Sequence, residues 1–300
     1  VGMRSVLAAT APDSWFFQRH GQRVLRNSRY MLDFRNPDVV DHLAAVIRRL
    51  VNGYGIGYIK MDYNVNTLSG TDLGADSPGQ GLLAHNRAVL KGLESILREF
   101  SGLVIENCGS GGGRMDYAML SRLHIQSMTD QEDYRRLPSI LVGVSAAVVP
   151  EQIGVWSYPL PESDSDQASF NMVTALTARI HQSGRLDLLT QDALAQVQQA
   201  ISVYKSEIRP YLPQAVPFYP LGMPDIHEKH KPVVLGMRSD RRTFVSVWRL
   251  EGREVCELPI GAQRVVVLFP SELGIKIEYS STMIRVRFPR QYMGCMLLLS

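Results

Sequence analysis

Three hundred residues, 45% hydrophobic and 20% charged, with a formal net charge of +3 from 32 basic and 29 acidic side chains, are the make-up of an ordinary globular chain able to bury a core in one large domain or in a large and a small one. No block of like charge offers a nucleic-acid footprint or a polybasic membrane patch, and no stretch reaches the roughly 20 apolar residues of a membrane helix. Cys108, Cys256 and Cys295 are too few and too widely spaced for a disulfide framework or a Cys-x-x-Cys zinc site, and the histidines are dispersed except for His227 and His230 in a proline-rich polar segment, so no metal centre is signalled.

In chain order, residues 12–24 read as a loop and 29–34 as a strand. Asn36, Pro37 and Asp38 open a helix, with Asn36 as N-cap, Pro37 in the first position, and an apolar stripe of Val39, Val40, Leu43, Ile47, Leu50 and Val51 that Gly53 and Gly55 end. The next stretch, Tyr58 to Asn64, is a short apolar run that stops abruptly on Lys60, Asp62 and Asn64. That is how a buried strand of a parallel sheet emerges at its carboxyl end, where α/β folds place their chemistry. Residues 65–80 turn to Asn, Thr, Ser, Gly, Asp and Pro and read as a long loop of the kind that often carries function. A helix over 82–100, a strand over 103–108, a glycine-rich turn over 109–113, a short helix over 115–122 and a strand ending at Asp130 follow. A helix or turn at 131–138, a strand near 143–149, and helices over 167–184 and 190–209 continue the alternation, which predicts an α/β fold with a parallel sheet covered by helices. Six prolines in 210–232 mark a connection. Beyond it, short β runs at 233–237, 243–250, 253–259, 264–269, 275–280, 284–288 and 293–299 predict an antiparallel sandwich. The division expected is 1–225 for the α/β part and 226–300 for the sandwich.

Asp62 and Asp130 end two different strands, and two carboxylates so delivered are the minimum equipment for breaking a glycosidic bond. Lys60 lies two residues before Asp62, so on a strand the two side chains share a face. A cation there keeps a nucleophilic carboxylate ionised; an ordinary ion pair inside the sheet fits the same spacing equally well. The Gly109 to Gly113 run lacks both the Lys-Ser/Thr of a P-loop and the G-x-G-x-x-G spacing of a dinucleotide fold, which leaves a turn that lets the chain approach a ligand closely. Cys108 before it is either a buried packing residue or part of a pocket lining.

The K-x-D-x-N of Lys60, Asp62 and Asn64, the N-C-G-S-G-G-G-R-M-D of Asn107 to Asp116, and the S-M-T-D-Q-E-D of Ser127 to Asp133 resemble, in order and spacing, three consecutive signatures of glycoside hydrolase family 36, the α-galactosidase and raffinose-synthase group. The L-D-F-x-N-P-D-V of Leu32 to Val39 extends the likeness. The resemblance implies a (β/α)8 TIM-type barrel followed by a C-terminal β-sandwich, and a retaining mechanism that cleaves terminal α-galactosides. Asp62 aligns with the nucleophile and Asp130 with the acid/base, a pair that retaining enzymes hold about 5–5.5 Å apart. Lys60 and Cys108 align with residues contacting galactose hydroxyls, Asn64 and Gly111 with walls of the same pocket, and Arg26 or its neighbour Arg29 with a sugar-binding arginine. An α-galactoside oligosaccharide is the implied partner, with no metal or organic cofactor, no nucleic acid and no membrane, and a homo-oligomer is implied because members are often tetrameric. The family's N-terminal β-sandwich and first barrel strands have no counterpart here, residues 1–11 do not match, and Ser127 stands where many members carry a tryptophan. A partial barrel is therefore expected, and two other readings stay open: a raffinose-synthase-like galactosyltransferase and a truncated sugar-binding remnant without activity.

Overall fold

Asn36 behaves as its context predicts: its side-chain oxygen accepts from the Asp38 N–H at 3.0 Å and caps the Pro37–Arg48 helix, satisfying one of the backbone donors a helix start leaves over. In the computed structural model, residues 1–64 and 69–300 are described, and they form two compact units, Val1–Ile125 and Gln126–Ser300.

In the first unit the Pro37–Arg48 helix buries Val39, Ala44 and Ile47 and passes into a single wide turn at Arg49–Gly53. The Pro78–Glu99 helix starts on Ser77, whose hydroxyl accepts from the Gln80 N–H at 3.2 Å, and buries Val89, Leu93 and Ile96. Between and after them lie two parallel strands, Tyr58–Asp62 and Val104–Cys108, paired residue for residue from Tyr58 with Val104 to Asp62 with Cys108. Because side chains alternate along a strand, this register sorts them cleanly. Ile59, Met61 and Ile105 join Ile47, Val89, Leu93, Ile96, Leu103, Met119 and Leu123 in one apolar cluster, each such burial contributing about 1.5–3 kcal/mol. Tyr58, Lys60, Asp62, Glu106 and Cys108 are left on the other face. Of the expected 65–80 loop, 65–68 lie outside the described residues; 69–77 carry no helix or strand and are anchored at Thr71, which is wholly buried with its hydroxyl accepting from the Gln18 N–H at 3.1 Å.

The strand expected at 29–34 is broken. Arg29–Tyr30 pairs with Leu25–Arg26 across Asn27 and Ser28, both at positive φ (47° and 58°), the geometry of a two-residue hairpin turn that matches strand twist. Past Tyr30 the chain is held by individual bonds instead of a ladder. The Asp33 N–H donates to the Trp15 carbonyl at 2.7 Å and the Phe34 N–H donates to His85 Nδ1 at 3.1 Å. The Asp33 carboxylate, 2% exposed, takes three contacts from Arg35, with Nε at 3.0 and 3.1 Å and Nη2 at 2.6 Å.

In the second unit the Ile125–Ser127 strand pairs in parallel with Ile153–Ser157, which pairs in parallel with Arg179–Gln182. Two expectations are corrected here. The apolar stretch at 143–149 closes the Leu137–Ser145 helix and the turn after it, and the strand comes later, at Ile153–Ser157. The helix expected over 167–184 is Ser165–Leu176 only. It is buried all round, from Ala168 to Leu176, and Arg179–Gln182 leaves it to take a place in the sheet. The apolar spacing of Phe170, Val173, Leu176 and Ile180 runs across that break, since a strand residue and a helix residue can both be buried at the same interval. Gly154 serves the sheet sterically: a Cβ there would stand 2.6 Å from the His181 ring.

All seven β runs expected after 232 form strands. One antiparallel sheet has the order Val216–Phe218, Val233–Arg238, Thr243–Arg249, Met293–Leu299, Val265–Phe269, and the other Val255–Leu258, Ile284–Arg287, Lys276–Tyr279. Val245, Val247, Cys295 and Leu297 from the first share one core with Cys256, Leu258, Ile284 and Val286 from the second, the face-to-face packing of a sandwich. The first sheet also recruits Val216–Phe218 from the proline-rich connection, and Pro217 is tolerated because this strand is an edge.

Burial would push the Asp33 carboxyl up, but hydrogen bonds with His85 and Arg35 outweigh it and hold the group at about 2 against an ordinary 3.8. His85 Nδ1 stands 3.8 Å from Asp33 Oδ1, and Arg35 makes the closer approach, with Nη2 2.6 Å from Oδ2. A carboxyl lowered on folding adds stability above its unfolded pKa and loses it as pH falls toward the folded one, here on the order of 2 kcal/mol lost from about pH 4 downward. Asp33→Asn is expected to lower stability at pH 7 by about that amount and to flatten the acid limb of the unfolding free energy, read from urea melts across pH.

Candidate active site

The carboxylate of Asp62 sits exposed at the carboxyl end of its strand, and its nearest support comes from two residues on. Asn64 Nδ2 donates to Asp62 Oδ2 at 2.7 Å. The same amide's oxygen accepts from the Ser110 N–H at 2.6 Å and the Ser110 hydroxyl at 3.2 Å. Because the backbone N–H can only donate, the amide's orientation is determined: Oδ1 toward Ser110, Nδ2 toward Asp62. The glycine-rich turn therefore reaches the carboxylate through Asn64.

That turn is shaped by close approach. Ser110 and Gly111 both have positive φ (50° and 73°), the Gly113 N–H donates to the Gly109 carbonyl at 3.0 Å, and the Gly109 N–H donates to that of Gly111 at 3.2 Å. Asn107 Nδ2 donates to the Arg114 carbonyl at 2.8 Å, and the Arg114 guanidinium lies 3.9 Å from the centre of the Tyr63 ring, a cation–π contact. Tyr63 in turn donates its N–H to the Cys108 carbonyl at 3.0 Å, and its hydroxyl lies 3.4 Å from Nε2 of the wholly buried His85 and 3.0 Å from the Met31 sulfur. The residue following Asp62 is thus tied to the helix on one side and to the glycine turn on the other.

Lys60 and Asp62 share the face opposite the apolar cluster, as alternation predicts. Lys60 Nζ is 3.5 Å from Glu106 Oε1, the residue directly across the register. Glu106 is 2% exposed, and its second oxygen accepts the Tyr58 hydroxyl. Sequence reasoning missed this carboxylate. The signal was an acid inside the apolar 103–108 run, but only the register reveals that it faces Lys60. Cys108, 2% exposed, stands across from Asp62, and Gly111 is buried in the turn. Arg26 is half-buried in its hairpin, and the register pairs it with Arg29, so both candidate arginines face the same way.

Asp130 belongs to the second unit. It is exposed, three residues past the Ile125–Ser127 strand, in a segment fastened by short side-chain bonds: the Gln131 N–H donates to Thr129 Oγ1 at 3.1 Å and the Asp133 N–H to Gln131 Oε1 at 2.9 Å. Asp133 itself is committed to Arg135, at 2.7 Å. Burial raises the Tyr158 phenol, and the charges of Glu132 and Asp130 raise it further, so Tyr158, Glu132 and Asp130 share one neighbourhood. Ser127 is wholly buried. Asp62, Lys60, Asn64, Cys108 and Gly111 come together within the first unit, and Asp130 is described within the second.

The described residues thus comprise parallel α/β strands, one of them presenting a carboxylate at its carboxyl end, followed by antiparallel sheets. The chain belongs to the melibiase family, whose model matches residues 1–212, in agreement with the family 36 signatures in the sequence. It is 31% identical over 137 residues to α-galactosidase 2 of Pediococcus pentosaceus, covering 40% of this chain and 19% of that protein. Over 152 residues it is 26% identical to the α-galactosidase of Escherichia coli, covering 48% and 21%. The matched regions thus span about a fifth of these relatives' length. Its fold superposes on the family 36 α-galactosidase AgaA of Geobacillus stearothermophilus, solved in complex with raffinose, with a TM-score of 0.79 at 18% identity, over 100% of this chain and 43% of that one.

Gly109 carries a steric condition near Asp62: a Cβ would stand 2.7 Å from Arg114 Cγ and 3.2 Å from the Tyr63 carbonyl. Gly109→Ala is expected to cost about 1–3 kcal/mol by overpacking, measured as a lowered urea midpoint, and to raise the exchange rate of the Tyr63 amide as Arg114 leaves its ring.

Proposed function

We propose that the chain is catalytic-barrel and sandwich sequence of a retaining α-galactosidase. In this reading residues 1–225 contribute to a (β/α)8 barrel and 226–300 form the C-terminal sandwich. Asp62 attacks the anomeric carbon of a terminal α-galactoside to give a glycosyl-enzyme. Asp130 protonates the departing oxygen and then takes a proton from the water that releases galactose, so both displacements run through the same pair. Lys60 and Cys108 meet the sugar hydroxyls, Gly111 lines the pocket through its backbone, and Arg26 contributes a guanidinium at the rim. Asn64 holds the nucleophile by its amide as well as walling the pocket.

The observation that carries this reading is the Asp62 carboxylate, which ends its strand with one oxygen on an amide donor that the glycine turn orients, in a chain of the melibiase family. A fixed donor on one oxygen holds a carboxylate aimed, as a nucleophile requires. An oligosaccharide such as raffinose, held by the structural neighbour AgaA, is the proposed class of substrate.

A 2-deoxy-2-fluoro galactoside with a good leaving group is expected to label Asp62, identified by peptide mapping, and Asp62→Ala to abolish turnover. Label on any other residue removes the assignment. Asp130→Ala should lose at least about a hundredfold on raffinose and much less on a nitrophenyl galactoside, whose leaving group needs little protonation. Transfer to sucrose with no free galactose would replace hydrolysis by a galactosyltransferase reaction at the same two aspartates.

A further inference from the structure

The polar face of the first unit holds a buried carboxylate that the proposed reaction does not use. Glu106 is 2% exposed, in the middle of a strand whose other inward residues are apolar or small. An ionised side chain in such a place persists only when paired and hydrogen-bonded. Both its oxygens are engaged: Oε1 with the Lys60 ammonium at 3.5 Å, Oε2 with the Tyr58 hydroxyl. The parallel register that sets Lys60 against Glu106 also sets Asp62 against Cys108, so the pair lies one step along the same face from the proposed nucleophile. Lys60 remains 30% exposed at its side chain. The buried carboxylate stands beside the ammonium as a fixed opposite charge, and that ion pair orients the lysine head group along the face that carries Asp62.

We propose that Glu106 is a positioning residue that fixes the Lys60 ammonium for binding sugar hydroxyls; this rests on reading the face as an α-galactosidase site. A lysine ordered in advance loses less side-chain freedom when the sugar binds. Lys60 would contact hydroxyls in the bound substrate and in the transition state alike, so the benefit is uniform binding and appears in KM more than in kcat. Tyr58 fastens the far side of the carboxylate and keeps it from turning away.

The test uses steady-state hydrolysis of raffinose and calorimetric binding of galactose by the unsubstituted chain, by Glu106→Gln, by Lys60→Met and by the double variant. Glu106→Gln is expected to raise KM and weaken galactose binding about tenfold, with the loss falling chiefly on KM. In the Lys60→Met background the same change is expected to add less than about twofold, because the group it positions is gone. A single variant with unaltered KM, or effects that multiply independently in the double variant as a purely structural role would give, overturns the inference while the parent chain still turns over. If the parent chain neither hydrolyses raffinose nor binds galactose, the proposed function falls, and this inference with it. Should Glu106→Gln lose its native circular dichroism, Glu106→Asp, which keeps the charge but draws it back by one methylene, is compared in both backgrounds with the same two outcomes.

Discussion

The residue-for-residue parallel pairing of Tyr58–Asp62 with Val104–Cys108 is the constraint on which the first unit depends. A shift of one residue would turn Ile105 toward Lys60 and bury Glu106 among Ile47, Val89 and Leu93, since a strand's two faces alternate strictly. The apolar cluster on one side therefore maintains the polar arrangement on the other: the hydrophobic free energy of Ile59, Met61 and Ile105 holds in place the face that presents Asp62, Lys60, Glu106 and Cys108. Neither the ion pair nor the carboxylate needs to stabilise the fold for the fold to present them.

Around Asp62 the support is layered by distance from the chemistry. Asn64 touches the carboxylate, Ser110 sets Asn64, and the run of glycines permits the turn that carries Ser110. Tyr63, one residue on, is gripped by Arg114 and by His85 from the Pro78–Glu99 helix. Each layer is polar and local, and each is held by a neighbouring apolar or steric condition such as the missing Cβ of Gly109.

Much of this was legible in the residues. Asn36 and Pro37 announced a helix because capping chemistry is local, and the abrupt end of the Tyr58 run announced a strand end because apolar-to-polar transitions are local too. The seven β runs after 232 were legible for the same reason. Pairings were not. Glu106 could be seen as an acid in an apolar stretch, but its partner Lys60 lies 46 positions earlier, and only strand order and register join them. The break after Leu176 was hidden because Ile180 continues the spacing of Phe170, Val173 and Leu176 while answering to the sheet instead of the helix. At Arg29 to Phe34 the side chains suggested a strand, and the buried Asp33 with Arg35 and His85 diverted the backbone into single bonds.

Ser110 is the one residue between Gly109 and Gly113 that has a side chain, and it stands in the left-handed region at φ 50°, where a glycine would be at ease and a serine is under mild strain. Its N–H and its hydroxyl both end on the same oxygen of Asn64. The backbone and the side chain of one residue therefore converge on a single atom, and a glycine at 110 would ease the backbone while removing one of the two bonds that orient the amide donating to Asp62.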